Sequence, residues 1–123
     1  MQQYYKADPF FGRGEAIRNM GGMETLYNKH VDRFKDNYCD SFKNICRYLN
    51  YMEYDKALQL THSIRGLAST LGMSELQCRA EKLENAINEG RYRDLPPLLI
   101  NFQSALDNVL YSTCFQSSSS VGA

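Results

Sequence analysis

The stretch Ala57–Gly72, A-L-Q-L-T-H-S-I-R-G-L-A-S-T-L-G, decides the fold. Ala57, Thr61, Ile64, Ala68 and Leu71 recur in alternating steps of four and three, the spacing of a packed helical seam. At about 100° per residue they fill a sector of roughly 80°. Gly72 follows, the residue type that takes positive φ just past a helix end. The next segment repeats the pattern. Ser74 and Gln77 have capping-box spacing, Leu76, Ala80, Leu83 and Ile87 form the seam, and Gly90 closes it.

Working outward, Met23, Leu26, Tyr27, Val31, Phe34 and Tyr38 make an earlier helical stripe, and Phe42, Ile45, Cys46 and Leu49 a second. A short extra helix around Glu15–Met20 precedes the Gly21-Gly22 turn. Asp94 with Pro96 and Pro97 opens the last helix, where proline costs least. Its apolar face runs Leu98, Leu99, Phe102, Ala105, Leu106, Val109, Leu110. Four long amphipathic helices on short connections must neighbour one another antiparallel. The expected fold is all-α: an up-and-down four-helix bundle with a short extra N-terminal helix. Residues 1–13 read as an irregular segment whose aromatics (Tyr4, Tyr5, Phe10, Phe11) can pack back on the body. Residues 14–115 form the bundle, and 116–123 a mobile Ser-rich tail.

Composition bounds the function. The chain has 123 residues, enough for one domain. Its 14 Lys+Arg balance 14 Asp+Glu, so nothing suggests nucleic acid, which needs clustered positive charge. No apolar run reaches the roughly 18 residues of a membrane span. The N-terminus lacks the charged start and apolar block of a secretory signal, so a cytoplasmic location and no membrane insertion are expected. Cys39, Cys46, Cys78 and Cys114 form no C-x-x-C pair and lie off metal-ligand spacing from His30 and His62. They read as reduced thiols that mostly pack as small hydrophobes. His30, between Tyr27 and Phe34, reads as a partly buried packing residue. No glycine-rich phosphate loop followed by lysine occurs, so ATP-driven chemistry is not expected.

One residue on the decisive helix does not belong to its seam. His62 lies about 140° from the middle of the seam, so its imidazole points outward. Leu58, Arg65, Gly66 and Ser69 share that outward face. A glycine inside a helix costs about 1 kcal/mol against alanine. Gly66, one turn after His62, leaves space beside the ring, and Arg65 can bring a guanidinium fork suited to phosphoryl oxygens. A plain surface histidine beside a glycine that admits a neighbouring helix would give the same pattern.

The stretch Thr61–Gly72, T-H-S-I-R-G-L-A-S-T-L-G, resembles the phosphorylation motif H-x-x-K-G-x-x-x-x-x-G of histidine-containing phosphotransfer (HPt) domains. His62, Gly66, Leu71 and Gly72 match it, and Arg65 replaces the commoner lysine. The flanks are similar to the family's opening helix and glycine turn and to its helix after the motif, over about Gly14–Phe115. The resemblance implies a phosphorelay module in which His62 is the phosphorylated nucleophile. Arg65 would stabilise phosphoryl charge, and Glu84 on the next helix would orient the imidazole. Leu58, Gly66 and Ser69 would lie on the face that docks receivers. It implies a covalent phosphoryl carrier rather than an enzyme, expected as a monomer and served by receiver domains of response regulators or a hybrid sensor kinase. The magnesium ion would sit on the receiver, leaving this domain with no cofactor. Two alternatives stand beside it: the phosphoacceptor domain of a larger chemotaxis-type kinase, and a helical module that docks receivers without accepting phosphate.

Overall fold

The computed structural model describes residues 8–112. Six α-helices follow one another: α1 Arg13–Asn19, α2 Glu24–Tyr38, α3 Ser41–Asn50, α4 Tyr54–Thr70, α5 Ser74–Asn88 and α6 Leu95–Leu110, with a 3-10 turn at Tyr92–Asp94 before the last. No strand occurs among the described residues. α4 runs alongside α3 and α5, and α5 alongside α6. Phe42 on α3 stacks on Phe102 of α6, with centroids 6.5 Å apart, and so links the first and last helices of the four. The expected antiparallel four-helix bundle is therefore present in α3–α6, with α1 as the short extra helix and α2 a further helix before the four. The proposed irregular start and Ser-rich tail lie largely outside the described residues; of the N-terminal aromatics within them, Phe10 is buried and Phe11 exposed.

The seams are buried where their spacing places them. Ala57, Thr61, Ile64, Ala68 and Leu71 all face the core, as do Leu76, Ala80, Leu83 and Ile87. Thr61 is the polar member of its seam, and its hydroxyl donates to the Ala57 carbonyl at 2.8 Å, so burial leaves it satisfied. Met23 departs from its stripe: it precedes α2 as the cap residue and is exposed. Of the rest of that stripe, Tyr27, Val31 and Phe34 are buried, and Leu26 and Tyr38 half-buried. Tyr27 Oη donates to the Leu71 carbonyl at 2.6 Å, and Lys35 Nζ to the Ser112 carbonyl at 2.9 Å. These bonds fasten α2 to the end of the bundle where α4 and α6 finish.

The helices end by backbone rather than side-chain chemistry. After α4 the Met73 N–H donates to the Ala68 carbonyl at 2.8 Å and the Gly72 N–H to the Ser69 carbonyl at 3.3 Å. This is the Schellman pattern, with Gly72 at φ +73°. The same reversal places Met73 at the boundary of α5, so Ser74 is already the first helical residue. Ser74 makes no capping bond, and the capping box expected with Gln77 does not form. α3 ends by the same bonding, Glu53 N–H to the Tyr48 carbonyl at 2.7 Å, but with Met52 at φ 58° where glycine would be usual.

Gly72 has a second constraint. Its carbonyl accepts from the Gly12 N–H at 2.8 Å, so the start of α1 lies directly on the α4–α5 turn. A Cβ on Gly12 would come within 2.9 Å of the Gly72 Cα, and one on Gly72 would collide with the Gly12 carbonyl. Two facing glycines allow the backbones to touch.

Candidate functional site

His62 sits midway along α4, with its side chain 60% exposed. Glu84, on the neighbouring α5, is the more enclosed partner at 18%. Its two carboxylate oxygens are divided between two residues of α4. Oε2 lies 2.7 Å from His62 Nδ1, and Oε1 accepts from Arg65 Nε at 2.5 Å. Ionised glutamate only accepts, so at 2.7 Å Nδ1 carries the proton and donates. Arg65 Nη2 stands 3.1 Å from the same Nδ1. Both are then donors, so that approach is a contact imposed by their shared acceptor and not a third hydrogen bond. With its proton on Nδ1, the neutral ring keeps its lone pair on Nε2.

The sequence-derived residues divide into those the fold brings together and those it does not. His62, Arg65 and Glu84 form one cluster across the α4–α5 pair. Arg65 is on the Nδ1 edge of the ring, engaged by Glu84. Nothing lies within 4 Å of a Cβ built on Gly66. That glycine does not admit a neighbouring helix; it leaves open the face beside His62. Ser69 is exposed and borders a groove with Gly12, Asn19 and Gln77. Leu58 is half-buried and packs against the core, so it offers less surface than its wheel position implies.

Sequence reasoning missed an apolar groove on the other flank of α4. Met20, His30, Phe34, Tyr38, Leu67 and Leu71 line a cavity of about 290 Å³ between α2 and the end of α4. Leu67, next to Gly66, is 37% exposed. The groove could have been suspected from Leu67, an apolar residue at the margin of the seam. It needed the position of α2 to be recognised. His30 is partly buried within it, as its placement between Tyr27 and Phe34 indicates.

Other chemistries find no such arrangement. Among the described residues no group of three or more His, Cys, Asp or Glu side chains could hold a metal ion. Cys39 and Cys78 are exposed, contrary to packing as small hydrophobes, because they fall on the outer faces at the end of α2 and on α5. Cys46 is partly buried, and that burial pushes its thiol pKa up. Cys114 lies outside the described residues. No helix among the described residues is long and apolar enough to cross a membrane.

Among the described residues the fold is thus a helical bundle that presents one outward histidine, braced by a glutamate from the adjoining helix. The Hpt domain family model matches residues 30–111, two thirds of the chain, and the chain belongs to that family. Hpt domains are histidine phosphotransfer modules of phosphorelays; they interact with receiver domains and are phosphocarriers rather than catalysts. No curated protein and no solved structure matches the chain.

Proposed function

We propose that this domain carries a phosphoryl group on Nε2 of His62, between the aspartates of two receiver domains. The observation that carries the proposal is the 2.7 Å bond from Nδ1–H to Glu84, which leaves Nε2 as the nucleophile on an exposed face. In the forward step the Nε2 lone pair attacks the phosphorus of an aspartyl phosphate. An N–P bond forms, the P–O bond to the acyl oxygen breaks, and aspartate departs as carboxylate with that electron pair. The ring gains positive charge as the bond forms, and the Glu84 carboxylate against Nδ1–H offsets it. Reversal onto a second aspartate returns the ring to its starting state. The reaction needs no proton removed from Nε2, which is why the Nδ1–H tautomer matters.

The open Gly66 position gives a receiver room to approach, and the Leu67 groove supplies apolar surface beside it. The receiver contributes the aspartate and its magnesium ion; no cofactor is assigned to this chain. The test is phosphoryl transfer from a panel of phosphorylated receivers to the wild-type chain and to His62→Gln. Acid-labile, base-stable label on the wild type alone is the expected result. Label on neither, with receivers still binding, would replace the carrier by a docking module; label only from an ATP-binding kinase domain would make it a kinase's phosphoacceptor.

A further inference from the structure

Arg65 matches the charged position of the motif, whose simplest role is to meet phosphoryl oxygens. Its observed bonding is different. Nε is committed to Glu84 Oε1, and the same planar fork carries Nη2 to within 3.1 Å of His62 Nδ1. Both groups Arg65 touches are on the side of the ring away from the nucleophile. Glu84 reaches across from α5, and a free glutamate side chain has several rotamers in which neither oxygen meets Nδ1. With Oε1 pinned from α4, the other oxygen is left to face the imidazole.

We infer that Arg65 is a positioning residue: before phosphorylation it fixes the Glu84 carboxylate, and through it holds His62 in the Nδ1–H tautomer. This rests on the reading of His62 as the phosphoryl carrier and adds a requirement for the shape of the residue as well as its charge. A lysine ammonium is a single point on a flexible stem; it can pair with Glu84 but cannot combine a planar Nε donor with a second nitrogen lying against Nδ1. A role confined to phosphoryl charge would be met by lysine.

Arg65→Lys and Arg65→Gln test the inference, with helical circular dichroism confirming the fold of each. Long-range ¹H–¹⁵N NMR of the His62 ring reports the tautomer without any phosphoryl donor, so it reads positioning separately from transfer. Positioning predicts a dominant Nδ1–H form in the wild type and a shift toward Nε2–H in both variants. It also predicts slower phosphorylation by phosphoramidate in both. The loss should be on the order of tenfold, the lower end of the effect of removing a group that orients a working histidine. Wild-type tautomer ratios in both variants would overturn it, as would full wild-type behaviour of Arg65→Lys with loss only in Arg65→Gln. Failure of the wild type itself to be phosphorylated would instead defeat the carrier reading.

Discussion

Replacing Gly66 by alanine should raise stability and lower transfer, two effects that an ordinary surface or core glycine would not combine. Gly66 lies inside α4, where glycine costs about 1 kcal/mol relative to alanine. Beyond the backbone of α4 itself, no atom stands within 4 Å of the added Cβ, so no steric penalty cancels the gain. For a domain of this size about 1 kcal/mol raises Tm by about 5 °C. The same methyl projects from the face that bears His62, where a receiver must bring its aspartyl phosphate up to Nε2. Each loss of about 1.4 kcal/mol of complementarity there slows transfer about tenfold. Thermal unfolding and receiver-to-domain transfer are measured on the same preparations. Phosphoramidate serves as the control, since a small donor needs little clearance. Expected are a higher Tm, transfer from the receiver reduced on the order of tenfold, and phosphoramidate labelling close to wild type. A lower Tm would show that the glycine serves packing. An unchanged receiver rate, repeated with Gly66→Gln, would show that the receiver does not approach over this face.

Three further outcomes follow from the turns and the core. Gly72→Ala should lower stability by about 3 kcal/mol, from the left-handed backbone and loss of the Gly12 contact, and depress Tm by more than about 10 °C. Met52→Gly should raise Tm by a few degrees, because φ 58° costs a side-chain-bearing residue about 1 kcal/mol; an unchanged Tm would mean the Met52 side chain offsets that strain. Burial pushes the Tyr27 phenol up from 10.0 to about 12, so the folded state holds this proton more tightly than the unfolded one. The stabilisation is therefore complete below pH 10 and is lost as pH rises toward 12. Tyr27→Phe should be less stable than wild type at neutral pH by about 1–3 kcal/mol, through the Leu71 carbonyl left without its donor, and the gap should narrow over that alkaline range. A gap that stays constant with pH would contradict the assignment.

The helices and their seams were legible because burial imposes a period that the residues must follow. The α4 and α5 seams could be written out residue by residue from spacing alone. The turns were legible where glycine marks them, and not at Met52, where a Schellman reversal is forced onto a residue with no such signature. Ser74 misled for a related reason. Its spacing to Gln77 is correct for a capping box, but the length of the preceding reversal, fixed by the Gly12–Gly72 contact and the Met73 bond, moves the boundary one residue earlier. At the site, the wheel placed His62 outward, and the resemblance pointed to Glu84 on the next helix. Neither could say that one carboxylate serves two α4 residues, because that depends on the separation and register of α4 and α5. The orientation of Arg65 and the groove at Leu67 were hidden for the same reason: each is set by a second helix.

The central claim is that Nε2 of His62 accepts the phosphoryl group while Nδ1 keeps its proton for Glu84. The most direct test is to phosphorylate the full chain from a receiver, map the labelled residue by mass spectrometry, and determine the substituted ring nitrogen by NMR. The account predicts a single phosphohistidine at position 62, substituted on Nε2. Phosphate on His30, or on Nδ1 of His62, would contradict it.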